Sequence, residues 1–403
     1  MQIFRIFSAV LVLLLAGCAT RPPQTGGRPP VILVSVDGLR PDYLARGVTP
    51  NIDALAASGV RAKAMRPSFP SLTFPNHYTL VTGLRPDRHG IVNNSMEDPG
   101  IPGVKFALSN RAAVEDRRWW DAAEPVWVTA EKAGLRTATM FWPGSEAAIG
   151  GVRPAQWLPF DGALPNPARV AQVLAWLDAP QPPAFLTLYF DTVDHDGHEF
   201  GPDAPETTKA MAEVDARIGD LVTGLKARGL AANIVLVSDH GMMNVAPERS
   251  IRIDQLLPPG SFRSIAGGAM AALEPMPGRE AEFTAALLRP HDHMQCMAKA
   301  EVPERLHYGR NVRVPAYLCL AAPGWMIVAA PPRTDGRLGG MHGYDPELPE
   351  MAATFVAAGP AFRGGVVLGS FDNVDVYPLL MQLLGLPARA SDGDIAPLRK
   401  GLR

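Results

Sequence analysis

Cysteine is scarce in this chain, with three in 403 residues. Neither a Cys nor a Ser stands in the C-x-P-x-R or S-x-P-x-R context that a modified sulfatase nucleophile needs, which argues against that chemistry. Charge is also low: 19% of residues are charged and the net charge is −2. A protein that grips a nucleic-acid polymer carries a basic footprint, so no such partner is expected, whereas a small anionic substrate stays compatible. No repeat or low-complexity segment appears, and no apolar run has the length of a membrane-spanning helix.

The longest apolar run, Ile6 to Ala16, follows Arg5 and ends in Leu15-Ala16-Gly17-Cys18. Its length and flanks are those of a signal peptide, and small residues before a Cys resemble a bacterial lipoprotein cleavage site. The expectation is a signal peptide over 1–17, cleavage before Cys18 and acylation of that residue. Residues 18–30, rich in Pro, Gly and Thr, then read as a flexible tether. Ala19 rather than Asp follows the Cys, which points to the outer membrane. Membrane contact would come only through this anchor, with the protein facing the periplasm of the cell envelope. In such an oxidising compartment Cys296 and Cys319 could form a disulfide; two buried thiols are the alternative.

The remaining chain, 31–403, alternates strand-like and helix-like segments. Val31 to Val36 is apolar apart from Ser35 and mostly β-branched, as a buried parallel strand should be. Strands are also expected at Thr137–Trp142, Ala184–Phe190, Asn233–Ser238, Trp325–Ala330 and Thr354–Ala358. Helices are expected after Thr49-Pro50, over Ala168–Leu177, over Glu206–Lys226 and over Val374–Leu384. This alternation predicts an α/β fold with a mostly parallel sheet covered by helices on both faces. From about 250 to 334 the rhythm breaks, and the stretch reads as an inserted, partly antiparallel cap on the same catalytic domain.

The chemistry-bearing residues follow these runs. Asp37 comes directly after Val31–Val36 and before Gly38. Asp239 and His240 repeat that placement after Asn233–Ser238, with carboxylate and imidazole side by side and able to reach one ion. Open α/β sheets put their chemistry at such strand ends. After Phe185–Phe190 come Asp194 and His198, spaced to share a face if helical, although Gly197 and Gly201-Pro202 favour an irregular loop there. Asp191, His195 and Asp196 are equal candidates in the same segment. His342 lies between glycines, which let a backbone approach a crowded site. Thr73 precedes Pro75, a residue tolerated in the first turn of a helix. That places its hydroxyl near a helix N-terminus, where an anion is favoured, with a simple N-cap role as the alternative. Together these residues suggest a two-metal hydrolase acting on a phosphoryl group.

The stretches VSVDGLRPDYL, FPSLTFPNHYTLVTGLRPDRHGIVNNSM, FWPGSE, TLYFDTVDHDGHEFGP, VSDHGM and GGMHGY resemble the nucleotide pyrophosphatase/phosphodiesterase family of the alkaline phosphatase superfamily. The resemblance runs from about Val31 to the C-terminus and implies an alkaline-phosphatase-like fold. It implies two Zn2+ ions, one held by Asp37, Thr73, Asp239 and His240, the other by Asp194, His198 and His342. It thereby selects Asp194 over Asp191 and His198 over His195. It implies that Thr73 is the nucleophile of a covalent intermediate and that Asn94 donates to a phosphoryl oxygen. Phe74 and Phe160 match positions that sandwich a nucleobase, with Phe160 the looser match. The implied reaction cleaves nucleotide phosphodiester or diphosphate linkages and releases a nucleoside monophosphate. A choline-type lipid phosphodiesterase, a phosphate monoesterase and a phosphonate hydrolase are the alternatives on the same core. A monoesterase would want an Arg for the additional charge, and Arg66 and Arg85 are near in sequence.

Overall fold

The computed structural model describes residues 27–331 and 339–403. The expected signal peptide, Cys18 and most of the tether lie outside the described residues, as do 332–334 of the expected cap.

Eight strands form the central sheet: β1 (Val31–Val36), β2 (Val60–Ala62), β3 (Thr137–Met140), β4 (Gln156–Leu158), β5 (Phe185–Phe190), β6 (Asn233–Val237), β7 (Phe355–Ala358) and β8 (Val366–Leu368). Their order is β8-β2-β7-β6-β1-β5-β3-β4, and β7 alone runs against the rest. The helices that matter for the site are α1 (Pro50–Ser58), α2 (Thr73–Thr82), α3 (Asn166–Leu177), α4 (Thr192–Phe200), α5 (Pro205–Ala227) and α6 (Val376–Leu384).

The apolar runs are continuous because both faces of the sheet are covered. Along β1, Val31 and Leu33 join one core with residues of α2 and α6, while Ile32, Val34 and Val36 join another with α1, α3 and α5. The same period of two points the hydroxyl of Ser35 at the α2 side, where it is fully buried.

Two expectations change. The run near Trp325 does form a short strand, Met326–Val328, but it pairs with Ser250–Arg252 outside the central sheet. An apolar run declares its burial, not its partner. The segment holding Asp194 and His198 is a helix rather than a loop. Gly197 does not break it; a Cβ there would meet only the Met242 side chain, at 3.2 Å, and it is Gly340 whose missing side chain lets its strand lie against α4, since a Cβ on Gly340 would stand 2.3 Å from the Gly197 carbonyl oxygen.

Between 250 and 331 the chain builds a four-stranded antiparallel sheet from Phe262–Ala266, Met270–Pro275, Met294–Ala298 and Tyr317–Ala321. One face carries its own small core around Phe283 and Leu287, and Ile265, Met270 and Leu318 on the other join the main core. Cys296 and Cys319 are bonded across directly opposed positions of two of these strands.

One buried polar group gives the fold a measurable pH response. His89 is fully buried; its Nδ1 accepts from the Ile91 N–H at 3.1 Å and its Nε2–H donates to Thr79 Oγ1 at 3.0 Å. Burial pushes its pKa down to about 3. Unfolded chains protonate His near pH 6.5, so the unfolded state binds the additional proton first and stability falls as pH drops below that value. Between pH 7 and pH 5 this one residue is expected to cost about 2 kcal/mol. Urea unfolding at those two pH values should show that difference shrinking in His89→Gln, and an unchanged difference would remove His89 as its source.

Candidate active site

Register aligns the strand ends. Val36 sits opposite Phe190, and Ser35 opposite Val237, so Asp37, Asp191 and Asp239 emerge together at the C-terminal edge of β5, β1 and β6. Gly38 follows at φ 71°, and a Cβ there would press on Asp194 at 3.2 Å, so its glycine lets α4 come close.

Six of the expected ligands converge. Ligand atoms of Asp194, His198 and His342 all lie within 4.8 Å of one another, as do those of Asp37, Asp194 and His240, and those of Asp37, His77 and Asp239. Asp239 Oδ2 is 3.0 Å and Asp37 Oδ1 3.4 Å from His240 Nε2. The rings of His240 and His342 stack at 3.6 Å. Each of the three site histidines points Nδ1 at a carbonyl: His198 at Gly340 (2.8 Å), His240 at Gly241 (2.9 Å) and His342 at Ser71 (2.9 Å). A carbonyl only accepts, so Nδ1 carries the proton, and in the neutral ring each Nε2 presents a lone pair to a cation.

The carboxylates test whether a cation fits. Asp37 Oδ1, Asp194 Oδ1 and Asp239 Oδ2 are buried without a hydrogen-bond partner. Three acids with such oxygens, packed among imidazole lone pairs, form a set that a divalent cation completes. The protonation pattern agrees. Burial, with Asp239 and Asp194 close by, pushes the Asp37 carboxyl well above its usual range. Burial pushes Asp239 the same way, yet the His240 and His77 rings hold it well below. Burial, with His240 and His198 beside it, keeps His342 neutral. A cation bound here would supply the positive charge that this cluster otherwise draws from protons.

Thr73 opens α2 as its first helical residue; Leu72, in extended conformation, holds the N-cap position. The N-cap alternative is thus corrected by one residue. Thr73 Oγ1 lies 3.2 Å from His240 Nε2. Asn94 Oδ1 accepts from the Phe74 N–H at 2.9 Å, using its carbonyl on the helix and leaving its amide N–H groups to donate elsewhere.

Thr73, Phe74, Phe160, Asp37, Asp194 and His198 line one cleft of about 670 Å³. Phe74 packs against Phe106 and Trp120, and Phe160 against Phe141 and Tyr189, so the two rings belong to different aromatic clusters of the cleft wall. The rival residues are occupied or exposed. Asp191 Oδ1 takes Arg169 Nη1 at 2.7 Å, and the His195 side chain is 73% exposed. Arg66 and Arg85 are both held by Asp372, at 2.7 and 2.8 Å, and neither lines the cleft. Sequence reasoning missed Tyr189, whose hydroxyl donates to Asp37 Oδ2 at 2.6 Å, and His77. The spacing of His77, one helical turn after Thr73, was the available signal.

The family description "Type I phosphodiesterase / nucleotide pyrophosphatase" matches residues 31–345. The chain belongs to this family. Within it, the chain is 33% identical to bis(5'-adenosyl)-triphosphatase of Xenopus laevis, over 97% of this chain and 86% of the relative. It is 36% identical to ectonucleotide pyrophosphatase/phosphodiesterase family member 5 of Homo sapiens, over 90% of this chain and 76% of the relative. The solved structure of the human family member 5 superposes with a TM-score of 0.89 at 35% identity, covering 93% of this chain and 100% of that one. A murine structure of the same member, an inactive threonine-to-alanine variant in complex with AMP, gives the same TM-score and identity over 93% of this chain and 100% of that one. The fold is thus that of the family, an alkaline-phosphatase-like α/β architecture around one large sheet.

Proposed function

We propose that the chain is a two-zinc phosphodiesterase and nucleotide pyrophosphatase that releases a nucleoside monophosphate through a covalent intermediate on Thr73. The observation that carries this reading is the placement of the Thr73 hydroxyl at the N-terminus of α2, beside the ligand cluster and at the wall of an aromatic cleft.

Asp37, Asp239, His240 and Thr73 would hold one cation, and Asp194, His198 and His342 the other. Bound there, the two ions would lower the pKa of a hydroxyl and offset charge on phosphoryl oxygens. The protein supplies the remainder. Thr73 Oγ attacks phosphorus; the bond to the leaving oxygen breaks as the Oγ–P bond forms, and water later hydrolyses the threonyl ester. The positive end of the α2 dipole and the amide N–H groups of Asn94 favour the charged phosphoryl group. Phe74 and Phe160 would take a flat base between them, as in the nucleotide reading implied by the relatives' names and the AMP complex.

The N-terminal pattern supports a periplasm-facing lipoprotein anchored through Cys18, and the Cys296–Cys319 bond suits an oxidising compartment. That membrane contact is confined to the anchor.

A nitrophenyl phosphodiester and the matching monoester separate the readings. Faster cleavage of the diester is expected, because Arg66 and Arg85 are committed to Asp372, and Arg111, which lines the cleft, is paired with Glu115 and Glu146. Faster monoester cleavage would overturn the proposal. With dinucleotide substrates, a nucleoside monophosphate should be the released product, and a preference for lysophospholipid would replace the nucleotide assignment.

A further inference from the structure

His77 is fully buried and belongs to no part of the reaction as derived above. Its Nδ1 lies 2.9 Å from the carbonyl oxygen of Thr73 and 3.3 Å from Asp239 Oδ2. The carbonyl can only accept, so Nδ1 carries the proton, and in the neutral ring Nε2 accepts from the Ser35 hydroxyl at 2.8 Å. The hydrogen bond goes to Thr73; the Asp239 oxygen is off its line and stays without a hydrogen-bond partner, held by electrostatic attraction to the same N–H.

The ring has no freedom to do otherwise. Trp142 and Tyr189 meet it edge-on, with centroids at 4.9 and 5.2 Å, and Trp142 Nε1 donates to the His77 carbonyl at 3.1 Å. Ser35 is itself fixed in the middle of the sheet, directly opposite Val237 at the end of β6, two residues before Asp239. An orientation-locked imidazole therefore joins three elements: β1 through Ser35, the nucleophile's backbone on α2, and the carboxylate beyond β6.

We infer that His77, held in one tautomer by Ser35, is a positioning residue that keeps Thr73 and Asp239 in mutual register and thereby sets cation affinity. The inference rests on the two-cation reading above. It needs no change in the charge of His77. Partners of this kind typically govern metal affinity or activity by about 10- to 100-fold.

The test measures zinc affinity by chelator competition for the full chain and for His77→Asn, His77→Leu and Ser35→Ala, together with kcat and KM for a nitrophenyl diester. Asparagine can place an N–H close to where Nδ1 stands; leucine cannot. His77→Leu is expected to weaken zinc binding by roughly 10- to 100-fold and to lower kcat with little change in KM, since Thr73 shifts while the base pocket does not. His77→Asn should recover most of both losses. Ser35→Ala, which frees the tautomer, should weaken binding by roughly 5-fold, the equivalent of one hydrogen bond. Wild-type zinc affinity in His77→Leu, or an Asn variant no better than Leu, would overturn the inference. If His77→Leu fails to fold by circular dichroism, Ser35→Ala decides, and unaltered affinity there overturns it. A wild-type chain that binds no zinc sinks the two-cation reading and this inference with it; wild-type binding with unmoved variants sinks the inference alone.

Discussion

Replacing Thr73 by alanine is expected to reduce phosphodiester cleavage by on the order of 10⁴-fold or more, the scale on which loss of a nucleophile acts. The side chain removed is small, and its backbone stays as the first residue of α2. Alanine is also a better helix former than threonine, so the fold should not suffer. The Phe74 N–H keeps its bond to Asn94, and the aromatic walls do not depend on the hydroxyl. AMP should therefore still bind with near wild-type affinity. Calorimetric titration with AMP beside a diesterase assay separates the two effects. Activity within tenfold of wild type would end the case for Thr73 as nucleophile, and lost AMP binding would reassign it to structure.

Removal of metal should be nearly as severe. Chelation is expected to leave below about 1% of the activity, since both the hydroxyl and the phosphoryl charge depend on the ions. It should also lower Tm by ~5 °C, because a ligand bound far above its Kd contributes about 3–4 kcal/mol to the folded state. The cause is visible in the carboxylates: Asp37 and Asp239 are buried and Asp194 is half-buried, each with an oxygen that has no hydrogen-bond partner. Without a cation the cluster must take up protons or bear its own repulsion. Thermal unfolding before and after chelation, then after zinc return, reads both consequences. Unchanged Tm and activity would remove the two-metal assignment.

Much of this site was legible in the chain because its ligands follow apolar runs. A strand buried on both faces is largely apolar, and the first charged residue after it marks the strand's end. Asp37 and Asp239 are such residues. The helical positions were harder to read. Gly197 and Gly201 argue for a loop, yet the first of them sits inside α4 with Met242 against it and the second ends the helix. Local sequence equally could not separate Asp191 from Asp194. Arg169, far along the chain, neutralises Asp191 from α3 and removes it from the ligand set. Arg66 and Arg85 were near Thr73 in sequence, yet Asp372 draws both away.

The sequence by itself determined the α/β alternation, the strand ends that carry acid and imidazole, and, through its motifs, the family. Those features are local, or repeat with the period of a strand or helix. Tertiary structure alone decided which oxygens are left unsatisfied, which tautomer each histidine adopts, and how His77 links Ser35, Thr73 and Asp239. Most of these depend on contacts between residues distant along the chain, such as Ser35 with His77, 42 positions apart, and on burial that only the packed core imposes. A hydrogen bond or a pKa is a property of surroundings, and the surroundings exist only once the sheet and its helices have closed.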